Sequence, residues 1–364
     1  MREVRMHLFY SQFDGKEKTL LESGGLSVSA FRYPGGVCAL RARNDRGELV
    51  ILPFQGQQIW SARFSQTDLT MKSTFDEPIP THDYLRTYGG FLLHCGATAM
   101  GVPSAADTHP LHGELPNIPY EQAYAAMGAD ERGRYLAVGG RTRYTVAFGT
   151  HYAAEPEVRL YEGETVARVS MTLTNLRSRP MEYMYLCHIN FRPVDGSRIV
   201  DSAYIDPAHV KVFHDIPSDM SGPQRDALAA WMDRIAQDPT RHQVIDSATQ
   251  VYDPEIVLAI RFEADADGWA HSMARLATGG AFYTAFRPEQ LPVGVRWIAR
   301  TGDEDALGLV LPATGEHKGY AYAKEHGQVR SIPGRGIVRI DMITGYLGKA
   351  EADAMEERIQ SILR

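Results

Sequence analysis

Apolar and polar residues alternate with period two through most of this chain, and that pattern limits it to sheet-built folds. Thr165, Ala167, Val169, Met171 and Leu173 share one side of a segment whose other side carries Arg168, Ser170, Thr172 and Thr174. Tyr144, Val146 and Phe148 alternate with Arg143, Thr145 and Ala147, and Val338, Ile340 and Met342 alternate with Arg339 and Asp341. Shorter β-rich pieces occur at 37–43, 49–54, 57–64, 255–262 and 295–299. Because successive side chains of a strand point to opposite faces, such runs broken by Gly, Pro, Asn and Asp predict many antiparallel strands. Helical spacing is confined to two places. One is 221–237, with Ser221 as a cap, Pro223 in the first turn and a stripe of Leu228, Trp231, Met232 and Ile235. The other is 349–363, where Ala352, Met355, Ile359 and Ile362 recur on one side. Strands do not alternate with helices, which excludes a doubly wound parallel sheet. The expectation is an all-β fold: one large antiparallel β-sandwich with a few loop helices and a C-terminal helix.

A chain of 364 residues would ordinarily suggest two domains, but large β-sandwiches are the exception to that rule. No linker or internal repeat stands out, so a single domain over 1–364 is expected, its core at about 35–348 and its last helix at 349–363. The net charge of −7 is spread along the sequence without a basic stripe, which argues against a nucleic-acid partner. No apolar run is long enough to cross a bilayer, and the N-terminal residues are too charged for a signal peptide. A cytoplasmic protein without a membrane partner is expected. Cys38, Cys95 and Cys187 have no paired spacing, which favours free thiols in a reducing compartment.

Three histidines lie where strands run into turns. His94 is in Gly-Gly-Phe-Leu-Leu-His-Cys-Gly at 89–96, His112 in Leu-His-Gly-Glu-Leu-Pro-Asn at 111–117, and His188 in Cys-His-Ile-Asn-Phe at 187–191. Imidazole titrates near neutrality, so a group of them suits proton transfer, hydroxyl binding or metal binding. In the segment 182–191, Tyr183, Tyr185, Cys187, Ile189 and Phe191 form a core face, while Met184, Leu186, His188 and Asn190 form the other. That second face turns from apolar to polar as the strand ends, which suits a hydroxyl-rich ligand; a core histidine satisfied by a neighbour is the alternative. The loop 100–119 is long and carries His109, His112, Glu114 and Asn117, and loops of this kind are usually functional or disordered. His112 could equally be a surface histidine and His94 a buried packing residue. His109 and His112 have a spacing known among metal ligands, but they straddle Pro110 without the further ligands that a zinc site needs. No nucleophile elbow, phosphate loop or dinucleotide fingerprint is present in the context it requires, so no metal and no cofactor are expected.

In order, Gly-Gln-Gln-Ile at 56–59, the 89–98 segment with His94, Leu-His-Gly at 111–113, Asn175, and His-Ile-Asn-Phe at 188–191 resemble the aldose 1-epimerase (galactose mutarotase) superfamily. The likeness runs over roughly 35–348 and is strongest to a bacterial aldose-1-epimerase-like branch. It implies a galactose mutarotase-like β-supersandwich with a sugar site on a concave face. It also implies a small-molecule carbohydrate as partner, and interconversion of anomers by acid–base ring opening. By resemblance His188 is the general acid toward the ring oxygen and His112 binds the sugar. His94, Asn190, Arg86 and Asn117 complete the expected substrate-binding set. The general base of that family is a C-terminal glutamate, and here the sequence departs, with Val310 and Pro312 in its neighbourhood. Glu316 is the expected substitute, with Glu325 as second candidate. Arg63, Arg86, Lys318 and Lys324 would favour an anionic sugar if they lined the rim, and Trp60 and Trp297 are candidates for stacking on a sugar face. Two rival readings remain. One is a sugar-binding or regulatory protein that lost the base. The other is a different sugar isomerase or lyase, metal-assisted through His94, His109 and His112.

Overall fold

Two antiparallel sheets, one of nine strands and one of thirteen, form the computed structural model, which describes residues 3–364. In the nine-stranded sheet Val4–Leu8 is one edge and Arg198–Asp201 the other. The long strands Gly133–Thr145, His151–Tyr161, Val166–Asn175 and Ile337–Leu347 lie side by side in its middle. Ala167, Val169, Met171 and Leu173 are all buried there, as their alternation requires. The all-β expectation holds, and the two sheets pack their apolar faces into one extended cluster with members from Leu8 to Met342.

The larger sheet supplies the floor of the site. Ile256–Ile260, Val293–Arg300, Asp305–Ala313, Met181–Ile189 and Leu92–Ala97 are neighbours in that order. Register within them decides which side chains share a face. Trp297 is opposite Val257, His188 is opposite Leu93, and Cys187 is opposite His94.

Among the described residues three α-helices decorate the sheets. Gly222–Gln237 buries Leu228, Trp231, Met232 and Ile235, the stripe read from its spacing, although Ser221 makes no side-chain cap. Lys349–Ile362 packs Ala352 and Ile359 against the smaller sheet. Gly319–Glu325 is a short helix where the sequence reads as loop. Another departure concerns Tyr144, Val146 and Phe148. The strand ends at Thr145, and 146–150 form a turn in which Val146 N donates to Thr150 O at 2.7 Å and Phe148 is fully exposed. All cysteines are free and buried. Among the described residues no helix is long and apolar enough to cross a membrane.

Candidate functional site

Alternate residues of four adjoining strands project from the same face of the larger sheet. Glu255 and Val257, Val295 and Trp297, Leu311, and Leu186 and His188 together line a cavity of about 170 Å³. Loops close it: Tyr84, Leu85 and Tyr88 from the segment before Leu92–Ala97, then Val102, Leu111 and His112, and then His317. The space is smaller than the roughly 300–1,000 Å³ of drug-sized ligand pockets and suits one small ring.

His188 and His112 meet across it, their ring centroids 5.2 Å apart and nearly perpendicular. Trp297 is 5.2 Å from His188, Tyr88 is 5.6 Å from His188, and Tyr84 is 4.9 Å from His112. His112 has a φ of 60°, rare for a residue with a Cβ, and backbone bonds hold it there. Its N–H donates to Gly101 O and its carbonyl accepts from Gly96 N, both at 3.0 Å. Gly113 follows with φ of 80°, where a Cβ would come within 2.2 Å of Ala99 O, so only glycine fits.

His188 is oriented by Asn190. The Asn190 amide donates from Nδ2 to Gly90 O at 2.9 Å, which turns its Oδ1 toward His188 Nδ1 at 2.7 Å. An amide oxygen only accepts, so Nδ1 carries the ring proton and Nε2 keeps its lone pair. Tyr88 also donates to Asn190 Oδ1, at 3.2 Å. Burial pushes His188 down to about 4, against the opposing pull of the Asn190 bond and with a further push from His317. Burial first, then His188 and His317, hold His112 well below the ordinary imidazole range. Both rings are therefore neutral at neutral pH. Tyr84 and Tyr88 are raised well above the phenol range, chiefly by burial, and stay protonated.

The other sequence candidates are placed differently. His94 is fully buried on the opposite face of its strand, bonded through Nδ1 to Tyr185 OH at 2.6 Å, because its register partner is Cys187 and not His188. Glu316 does not join His188. It lines a separate cleft of about 940 Å³ and is held by Lys211 at 2.6 Å and by Tyr322 OH at 2.7 Å. Burial alone would raise its carboxyl, but the Lys211 and Tyr322 bonds outweigh burial and leave it lowered. Glu325 is exposed at the end of the helix Gly319–Glu325. Asn117 is buried as a tie between loops, accepting from Gln58 Nε2 at 2.7 Å. It faces a wider cleft of about 750 Å³ that shares the Tyr84, Leu85 and Leu111 wall. Arg86 is exposed, and its neighbour Leu85 is the residue that reaches the cavity. His109 bonds Pro110 O at 2.8 Å, and no group of His, Cys, Asp and Glu able to hold a metal exists among the described residues. Trp60 lies in a different apolar cluster. Lys318 and Lys324 are paired with Asp215 and Glu182.

Sequence reasoning missed Tyr84, Tyr88, Glu255 and His317. Glu255 is the residue just before the strand Ile256–Ile260, and its Oε2 accepts from Trp297 Nε1 at 2.5 Å. It is the one carboxylate on the cavity wall, which carries no Lys or Arg. His317 is the residue next to Glu316.

The family described as a domain of unknown function, DUF4432, matches residues 35–205. No curated protein matches the chain. Among solved structures, one from Klebsiella pneumoniae, named as a candidate aldose 1-epimerase, is similar over 100% of this chain and 96% of its own, with a TM-score of 0.82 at 16% identity. A galactose mutarotase-like protein from Clostridium acetobutylicum covers 88% of this chain and 98% of its own, with a TM-score of 0.58 at 11% identity. A galactose 1-epimerase from Lactobacillus acidophilus covers 91% and 98%, with a TM-score of 0.52 at 10% identity. These likenesses establish the fold as the galactose mutarotase-like β-supersandwich.

Proposed function

We propose that this protein binds a free aldose, or a close derivative, in the cavity between His112 and His188 and interconverts its anomers by acid–base ring opening. The observation that carries the reading is the pair of neutral imidazoles 5.2 Å apart over a small cavity walled by Trp297. Opening the ring requires removal of the C1 hydroxyl proton and protonation of O5. His188 is one proton-transfer group, held in a single tautomer by Asn190. His112 binds a hydroxyl, and Trp297 packs on an apolar face of the ring, as aromatic side chains do. The fold of the epimerase-named structures supports a carbohydrate ligand.

The experiment is NMR exchange between the anomers of equilibrated aldoses, with His188→Ala as control. Acceleration is expected, and loss of the His188 imidazole should lower it about 10²–10⁴-fold, the usual worth of one acid–base group. If no aldose exchanges faster than in buffer, the enzymatic reading falls. The position of Glu316 in a separate cleft favours one alternative, a sugar-binding protein without turnover. Calorimetric binding of a sugar whose anomers the protein leaves alone would select it.

A further inference from the structure

The cavity contains a third imidazole, His317, and nothing in the resemblance assigns it a role. It is 9% exposed, and its Nδ1 is buried without a protein partner. Its other nitrogen, Nε2, lies 3.6 Å from the Asp215 carboxylate. The ring stands edge-on to Phe213 at 4.6 Å between centroids. Its backbone is fixed to the loop that carries His112, since Val102 N donates to His317 O at 2.7 Å.

We propose that His317, backed by Asp215, is the proton donor of the ring-opening step, and that His188 is the base. This rests on the anomer-exchange reading above. The argument is one of geometry: which ring offers a lone pair and which has a carboxylate beside it. His188 and His112 are desolvated, and no carboxylate bonds either ring. His317 alone has an anion behind it and a buried Nδ1 without a protein partner, whereas His188 offers a lone pair at Nε2, so the donor is placed at His317. Asp215 is in turn held well below the carboxylate range, first by the neighbouring His317 and then by its bond to Lys318. The groups around His317 are thus Asp215 and Lys318 on one side, and His112, His188 and Glu255 across the cavity. Lys318 opposes a charged His317, but its ammonium bonds Asp215 Oδ1 at 2.6 Å and is spent largely on that carboxylate.

The proton inventory balances. His188 Nε2 takes the proton from the C1 hydroxyl, the C1–O5 bond breaks with its electron pair going to O5, and the His317 imidazolium protonates O5. The product is the open aldehyde with a protonated His188 and a neutral His317. After rotation about C1–C2 the same transfers run backward onto the other face of the carbonyl, and both imidazoles return to their starting states. This arrangement reverses the role that the resemblance assigns to His188. It also supplies the second group without the carboxylate that Glu316 fails to provide.

The test has two arms. In the free protein with 15N-labelled histidine, NMR at neutral pH should show His317 as imidazolium and His188 neutral with its proton on Nδ1. His317→Gln and His188→Gln assign the resonances, and Asp215→Asn should shift the His317 resonances toward the neutral form. In turnover, His317→Gln should lower kcat about 10²–10⁴-fold. Asp215→Asn should move the alkaline limb of the pH profile downward, and Glu255→Gln should cost less than His317→Gln. A neutral His317 at neutral pH, His317 resonances indifferent to Asp215→Asn, or a Glu255→Gln loss exceeding that of His317→Gln overturns the assignment. The first arm needs no substrate, so failure of the imidazole assignment and failure of anomer exchange are separate results.

Discussion

Replacing Asn190 by Asp tests whether the neutral state of His188 is what the site uses. In the native protein the ring is pushed down to about 4, chiefly by burial. Asn190 Oδ1 at 2.7 Å contributes only a dipole. The substitution Asn190→Asp keeps the size of the side chain and puts a full negative charge at that oxygen. An opposite charge at such a distance raises an imidazole by about one to three units, which is about 1.4–4 kcal/mol. His188 would then titrate between about 5 and 7. The sign follows from its role: a base works only when unprotonated, so activity is lost as pH falls through the titration. The acid limb of the rate profile should therefore move from near 4 to between about 5 and 7. The second Asp oxygen also faces Gly90 O, which loses the donor now at 2.9 Å, so a stability cost of about 1–3 kcal/mol accompanies the change.

The assay is anomer exchange by NMR from about pH 4 to about pH 8, with the His188 imidazole shifts followed in the same samples. Asn190→Leu serves as control, since it removes the tautomer lock without adding charge. It should lower the rate and leave the acid limb at or below its native position. An acid limb in Asn190→Asp that stays within about one unit of the native one, with the variant folded, would refute the reasoning that Asn190 governs the charge of His188.

Other perturbations have directions fixed by the structure. Glu316→Gln should leave anomer exchange unchanged while weakening the Lys211–Tyr322 cluster, a result read by comparing rates and thermal unfolding of the variant. Arg296 is fully buried and bonds Asp201 at 2.8 and 3.0 Å, so Arg296→Met strands a buried carboxylate. The expected cost is about 3–5 kcal/mol in urea unfolding. His94 is pushed down to about 4 by burial, so the unfolded chain binds more protons and stability falls as pH drops from about 6.5 toward 4. The contribution is roughly 3 kcal/mol, and His94→Phe should flatten that part of the stability profile. Gly101 has φ of 84°, and a Cβ there would lie 2.2 Å from His317 O. Gly101→Ala should displace His317 and depress anomer exchange at a backbone cost of about 1–3 kcal/mol, measured by rate and by denaturant midpoint.

The strands were legible because one sheet face is buried and period-two spacing records that directly, as at Ala167 to Leu173. The same spacing misled at Val146 and Phe148, since a turn has no buried face to contradict an alternation that merely continues. His188 and Asn190 were legible for the related reason that their strand changes character on one face only. His94 was not, because every residue of Leu92–Ala97 is buried and only the pairing register tells its two faces apart. Tyr84, Tyr88 and Glu255 come from separate segments and meet only in the folded sheet, so no local pattern announces them. Glu316 and His317 show how narrow the margin is. The two are adjacent, and the chain direction after the strand Asp305–Ala313 sends the carboxylate toward Lys211 and the imidazole into the cavity.

That one-residue choice has a chemical consequence. A carboxylate base is ionised throughout the neutral range, so a glutamate and histidine pair works with the histidine as acid. Two imidazoles must instead differ in proton affinity, and here the difference is built from opposite surroundings, burial at His188 and a carboxylate behind His317. The difference cannot be large, because the proton has to return. Each unit costs about 1.4 kcal/mol in the open-chain state. Glu255, the wall carboxylate, accepts from Trp297 Nε1 at 2.5 Å, so its role in the cavity is to hold the indole. Removing the Glu255 charge should thus loosen Trp297 and cost the rate less than loss of the His317 imidazole. On this argument the acidic residue of the cavity positions Trp297 and takes no proton itself.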